Sequence, residues 1–429
     1  MGERGYDAVV IGAGMAGLTA GRALAEAGLR IAVLEARDRV GGRILTRHEF
    51  GEAVELGAEF IHGRPAELWA LVDEVGLETY ERDGAQVCYE GGTLVECSDE
   101  IDHAFDPLEK LKEFTGPDLS FAEYLSRQQM PEEAHSRMIG YVEGFNAADY
   151  REISAAALGA QQKAEDAIGS DHNYSVRGGY DQLPRYLAGR IAGLGGSIRT
   201  GTPVRSIRWV PGEVTIDTEF ETISAPKCIV TLPLGVLQAE RVSILPAPTA
   251  ILEAATKLRM GQVRRFSLVF RERFWNMLQP QPALKELSFL FAFSELPPVW
   301  WTHHPDDSHM MTGWVGGPRS AALFGLSSNE LGIRACATLA KIFGLEYEQV
   351  SAGLRGCSMH AWEQDPYALG SYSYVATGGL GASKAMTKPV EGTLFFAGEH
   401  TDVTAHWGTV HAAMRSGLRA AAQVLGGQS

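Results

Sequence analysis

Apolar positions in this chain follow two spacings. Residues 7–11 (DAVVI) form a short unbroken run, the pattern of a parallel strand buried on both faces rather than one with a wet side. Gly12 to Gly17 makes a turn, and 18–27 then follows helical spacing, with Ala16, Ala20 and Gly21 small enough for close approach to a sheet. Gly28 ends that helix and 31–34 is a second buried strand, completing one βαβ unit. Helical periodicity recurs over 65–75, 121–125, 182–192, 329–343 and 410–425. Strands are expected at 87–89, 204–209, 214–218, 228–231, 266–270 and 394–397, and the proline-rich breaks at 246–248, 280–282 and 297–298 mark loops. Helices, isolated strands and returns to the sheet alternate. The expected fold class is therefore α/β, with a Rossmann-like domain assembled from separated segments and a second α+β domain.

Length supports the two-domain reading. A chain of 429 residues, 45% of them apolar, holds more than a single hydrophobic centre usually organises. The formal net charge of −15 argues against nucleic acid or an anionic membrane as partner and favours attraction of small cations. Five cysteines, Cys88, Cys97, Cys228, Cys336 and Cys357, are scattered without CxxC spacing, so buried thiols in a reducing compartment are expected, with neither a disulfide scaffold nor a zinc site. The first strand begins near Tyr6, leaving no room for a cleaved signal, and no apolar run reaches the ~18 residues of a membrane span, so a cytoplasmic protein is expected. His303, His304, His309, His406 and His411 do not form a metal-binding spacing, and no metal is expected.

The motif Gly12-x-Gly14-x-x-Gly17 lies between strand and helix, where each glycine has a task. One makes the tight turn, one leaves room for a pyrophosphate against the backbone, and one allows close helix packing. The helix N-terminus adds free N–H groups and partial positive charge. Glu35 closes the second strand, where a carboxylate accepts from a ribose 2′-hydroxyl and repels a 2′-phosphate. Arg37 and the stretch RVGGRILT follow directly; two glycines (Gly42 the second) between Arg39 and Arg43 suit another backbone approach to phosphate.

At this point the sequence resembles the flavin-containing amine oxidase family, whose members carry RxGGRxxT after the Rossmann unit. The stretches ELGAEFIHG, GGYDQLPRYLA, TLPLGVL, DPYALGSYSYV and GEHTDVTAHWGTVHAAMRSGLRAA extend the resemblance through most of the chain, nearest the polyamine oxidase and lysine-specific histone demethylase branch. The resemblance implies FAD as cofactor, held by an FAD-binding domain of segments 1–75, 176–240 and 356–429, with 76–175 and 241–355 as the substrate domain. It places Gly57, Ala58 and Glu59 by the flavin, Val204 at the adenine, Gly398 and Glu399 by the ribityl or pyrophosphate, and Thr409, Val410 and His411 at the isoalloxazine. Some members attach flavin through a cysteine where this chain has Ser371, so non-covalent FAD is expected.

On the reacting side the resemblance implies oxidation of a small amine or polyamine, with hydride leaving the C–H beside nitrogen, imine hydrolysis, and oxygen as acceptor giving hydrogen peroxide. Trp362 and Tyr372 match positions that face flavin and substrate, Trp407 is a further candidate wall, and His62 matches a substrate-side histidine. Glu59 and Phe60 stand where amino-acid oxidases carry an arginine for the substrate carboxylate, which favours amines without one. The main departure is Arg265, where the family places a lysine bridged through water to the flavin; strand phase through Phe266, Leu268 and Phe270 points Arg265 rather than Arg264 inward. The alternatives are a flavin-dependent oxidase or desaturase of a biosynthetic pathway, and a non-catalytic FAD-binding protein.

Overall fold

A computed structural model describes residues 5–97 and 106–426. Its organising element is a five-stranded parallel sheet in the order Ser197–Arg199, Ile31–Leu34, Ala8–Ile11, Cys228–Val230 and Leu394–Phe396. Four of these strands are buried along their whole length, which explains their uninterrupted apolar runs. The strands come from four distant stretches of the chain, so the sheet closes only through long-range pairing, as in Val10 between Val33 and Ile229.

Helix Met15–Glu26 packs against the C-terminal helix Val410–Val424, and the small residues explain how. A Cβ on Gly417 would sit 2.2 Å from the Ala16 carbonyl, and one on Gly17 would sit 1.9 Å from the Gly12 carbonyl. Only glycine permits either approach, and the second closes the first turn onto its helix.

The other lobe is built on a seven-stranded mixed sheet running Leu354–Met359, Val263–Phe270, Met310–Gly316, Val299–Trp301, Leu287–Phe291, Ala85–Glu90 and Thr93–Glu96. Helix Ser328–Phe343 covers one face with Leu331, Ala335, Leu339 and Phe343. A reciprocal cap starts it: Ser327 Oγ accepts from the Glu330 N–H at 3.3 Å and Glu330 accepts from the Ser327 N–H at 2.8 Å. Helices Glu132–Asn146 and Ala155–Ile168 stand beside the sheet and complete the lobe. Every helix and strand expected from periodicity forms. The elements that the expectation missed include the helices at 132–146 and 155–168 and the strands at 197–199, 287–291, 299–301, 310–316 and 354–359.

One expectation is corrected. Cys88 and Cys97 form a disulfide, with Cα atoms 5.2 Å apart, whereas all five cysteines were expected as thiols. The hairpin of strands Ala85–Glu90 and Thr93–Glu96 folds the chain back so that Cys97 N–H reaches the Gln86 carbonyl, bringing the two sulfurs together without any CxxC spacing. The pairing removes the thiol argument for a reducing compartment. Among the described residues no helix is long and apolar enough to cross a membrane, and no group of three or more His, Cys, Asp or Glu is placed to hold a metal.

Candidate active site

A continuous cavity of about 1340 Å³ runs from the glycine-rich turn, between the lobes, to an aromatic chamber against the seven-stranded sheet. Gly12, Gly14, Ala16, Glu35, Arg37, Gly42, Arg43, Gly57, Ala58, Val204, Gly398, Glu399, Thr409 and Val410 all line it, as do Glu59, His62, Arg265, Trp362 and Tyr372. Gly17 does not; it serves the turn packing described above.

The nucleotide end is a glycine cradle. Gly14 bridges to Gly41, and a Cβ on Gly42, itself at φ 58°, would sit 3.1 Å from Gly14 Cα. Two backbone turns thus approach with no side chain between them, leaving room for a pyrophosphate. Glu35 lies at the end of its strand, buried, accepting from the Ala13 N–H at 2.8 Å and the Arg37 N–H at 3.0 Å. Arg37 reaches Asp365 at 2.7 Å and lies 5.9 Å from the Trp362 ring. These features fit a dinucleotide: a cradle that any Cβ would fill, a carboxylate at the ribose position and cations at the rim.

Midway along, Glu399 and Arg43 tie the N-terminal and C-terminal segments of the same lobe. Arg43 Nη1 donates to Glu399 Oε1 at 2.8 Å and to the Ser371 carbonyl at 2.8 Å, while Glu399 Oε2 accepts from Ser373 Oγ at 2.6 Å and the Gly408 N–H at 3.0 Å. Burial opposes the carboxylate, but Arg43 and these donors hold it below its usual range. Gly57 belongs to the same junction, since a Cβ there would sit 1.9 Å from the Arg43 carbonyl. Thr409 caps the last helix by accepting from the Ala412 N–H at 3.2 Å, so the N-terminus of Val410–Val424 opens onto the cavity.

The chamber walls are aromatic. Phe60 and Trp301 lie 5.4 Å apart, His62 and Phe145 5.7 Å, and Trp301 and Trp314 5.7 Å. Tyr372 Oη donates to the Phe145 carbonyl at 2.7 Å and its ring packs over Gly408, where a Cβ would meet it at 2.8 Å. Trp362 Nε1 donates to the Leu56 carbonyl at 2.7 Å. Burial lowers the pKa of His62 and drives His411 down to about 2, helped by His406, Arg415 and His62 nearby. Both rings are therefore neutral acceptors at physiological pH.

A buried charge cluster closes the chamber. Arg265 donates through Nη1 to the Gly57 carbonyl at 2.6 Å and through Nη2 to Glu59 Oε2. Arg82 donates to Glu59 Oε1 at 2.9 Å, and Trp301 Nε1 to Glu59 Oε2 at 3.2 Å. Desolvation would raise the Glu59 carboxyl, yet Arg265, His303 and Arg82 pull it down to about 2. Two guanidiniums against one carboxylate leave this wall with an excess positive charge. Arg264 projects to the opposite face, paired with Glu363 beside Met359 and Phe324. The sequence reading placed Glu59 by the flavin and did not pair it with Arg265; Arg82, Trp301 and His303 were missed. Contacts spanning 206 and 242 residues carry no local signal.

Together the parallel sheet, the glycine cradle and the facing lobe define a two-lobed α/β protein whose central cavity joins a site that fits a dinucleotide to an aromatic chamber. The sequence profile of the family described as flavin containing amine oxidoreductase matches residues 15–425, and the chain belongs to that family. Among curated relatives, polyamine oxidase 3 of Oryza sativa subsp. japonica is 30% identical over 97% of this chain and 88% of its own length. Putrescine oxidase of Kocuria rosea is 30% identical over 99% of this chain and 96% of its own. Lysine-specific histone demethylase 1 homolog 1 of Arabidopsis thaliana is 28% identical over 98% of this chain, which spans only 52% of that relative. A solved structure of putrescine oxidase bound to putrescine superposes with a TM-score of 0.84 at 24% identity, covering 99% of both chains.

Proposed function

We propose that the chain binds FAD non-covalently and oxidises a small amine or polyamine at the carbon beside nitrogen. The supporting observation is one cavity that joins a dinucleotide cradle to an aromatic chamber whose far wall is a buried cation cluster. When bound, the flavin supplies a two-electron acceptor for hydride, with oxygen as the terminal oxidant and hydrogen peroxide as product. The chain's own residues do the rest. Gly12, Gly14 and Gly42 leave space for the pyrophosphate, Glu35 meets the ribose and Arg43–Glu399 fixes the junction. Ser371 stands where a thioether would need cysteine, which supports non-covalent binding. The excess charge of Arg82 and Arg265 over Glu59 disfavours an ammonium ion at that wall and so favours the neutral amine, the form whose C–H is reactive. Neutral His62 and His411 accept its N–H, and the aromatic walls give the reacting carbon an apolar surround. Farther along, Glu165 accepts from Gln161 at 2.7 Å on the cavity wall, a site for a second nitrogen. The assignment of segments 1–75, 176–240 and 356–429 to FAD and of 76–175 and 241–355 to substrate belongs to this reading.

The test is an anaerobic panel of amines and amino acids followed by flavin absorbance, then admission of oxygen with a peroxide assay. Bleaching by amines and not by amino acids, with stoichiometric peroxide, supports the proposal. Bleaching without peroxide assigns another acceptor, and no bleaching by any amine overturns it.

A further inference from the structure

A second cavity, of about 450 Å³, lies next to the first and shares one lining residue with it, Glu59. It reaches the surface at exposed His48 and Gly51, and Glu55, Tyr80, His303 and Arg177 line its interior. It has room for several waters and polar partners for them. Its wall differs in kind from the aromatic chamber, being made mostly of polar and titratable groups.

At its inner end polar groups lie in a row. His303 Nδ1 lies 3.2 Å from Tyr80 Oη, and His303 Nε2 lies 3.7 Å from Glu59 Oε1. Glu59 Oε2 in turn accepts from Arg265, which faces the main cavity. The ionised Glu59 attracts an N–H dipole, so the His303 proton is favoured on Nε2, 3.7 Å from Oε1 and beyond direct hydrogen-bond reach, while Nδ1 faces the Tyr80 hydroxyl. Burial holds His303 at about 4 against the pull of Glu59, with Arg82, Arg265 and Asp306 also facing it; Tyr80 is raised to about 12. The imidazole is thus neutral, with Nδ1 against the Tyr80 hydroxyl and Nε2 directed toward Glu59. Glu55, also in this cavity and raised by burial to about 8, still carries a proton at neutral pH.

We propose that this second cavity is a proton inlet to the reaction chamber, separate from the amine's path, with His303 passing protons between cavity water and Glu59, the carboxylate that both cavities share. The inference rests on the amine-oxidation reading. In that reaction an alkylammonium ion, dioxygen and water become an aldehyde, an ammonium ion and hydrogen peroxide. One proton leaves when the substrate ammonium becomes an amine. The C–H bond then breaks with loss of hydride, the resulting iminium adds water and releases ammonium ion, and dioxygen takes up the two electrons with that hydrogen and one further proton. Atoms and charge balance with no net proton, but one must exit and one must return while the substrate occupies the aromatic end of the main cavity. The polar cavity ending on Glu59 supplies the route.

The experiment compares wild-type holoenzyme with His303→Asn and, as a variant that preserves packing, Tyr80→Phe. In wild-type protein carrying ¹⁵N-histidine, NMR is expected to show His303 as the Nε2–H tautomer, with that preference weakened in Tyr80→Phe; an Nδ1–H tautomer overturns the inference. Turnover of His303→Asn at saturating amine is expected to fall by at least about tenfold with KM within about twofold, to gain a solvent deuterium isotope effect, and to be partly restored by free imidazole. A loss that imidazole does not restore, or an unchanged isotope effect, overturns it. If wild-type protein oxidises no amine, the amine reading fails, and the NMR tautomer then decides the relay geometry separately.

Discussion

Replacing Glu59 by Gln tests the charge cluster on which the chamber is built. The wild-type carboxylate sits buried between Arg82 and Arg265 and is drawn from an ordinary 4.5 to about 2. At 1.36 kcal/mol per tenfold change in proton affinity, that displacement is worth ~3 kcal/mol at neutral pH, within the ~3–5 kcal/mol range for breaking a buried pair. Because the folded-state value lies below the unfolded one, the contribution is complete above about pH 5 and is lost as pH falls towards 2. By the same linkage it has shrunk to about 2 kcal/mol at pH 3.5. With unfolding entropy near 2.1 cal/mol/K per residue, a chain of 429 residues melting as one unit loses roughly 4 °C. Calorimetry of wild type and Glu59→Gln at pH 7 and pH 3.5 measures this directly. Combining Glu59→Gln with Arg82→Met is expected to cost less than the sum of the two, since each change removes the other's penalty. A Tm gap at pH 7 under about 1 °C, or one that does not narrow with acid, would refute the argument that the guanidiniums hold this carboxylate ionised.

Gly57→Ala is expected to weaken flavin binding by at least about tenfold, because its Cβ would meet the Arg43 carbonyl at 1.9 Å and force the junction apart; flavin-quenching titration reads it, and a Kd within twofold of wild type would contradict the tight-junction reading. Arg265→Lys exchanges a two-armed donor on Gly57 and Glu59 for a compact one that can lose its proton, so flavin reoxidation followed by stopped flow is expected to accelerate. An unchanged rate would deny that position its importance.

Much of the nucleotide half was legible because its physics is local. A strand, a glycine turn and a helix lie within consecutive residues, so Gly12, Gly14 and Gly17 announce their roles by spacing alone, and Gly42 and Arg43 follow directly. Strand phase likewise separated Arg265 from Arg264: the strand Val263–Phe270 is buried on both faces, but alternation sends the two guanidiniums to opposite sides. The missed helices, at 132–146 and 155–168, include Gly140, Gly144 and Gly159 and carry mixed apolar faces that are decided by packing rather than by propensity. A Cβ on Gly159 would sit 2.0 Å from the Leu111 carbonyl, a reason for glycine that no local pattern reveals.

The amino-acid order by itself therefore determined the βαβ start, the fold class and the residues of the cradle, because backbone turns and periodicity depend on near neighbours. Only the tertiary structure decided who pairs with whom across the chamber: Glu59 with Arg265 and Arg82, His303 with Tyr80, Cys88 with Cys97. The first two pairings join segments more than a hundred residues apart wherever Arg265 or His303 takes part, and a charge's partner is set by whatever the folded sheet brings within about 4 Å of it rather than by its place along the chain. The buried cluster and the polar inlet behind it exist only once both lobes have closed around them.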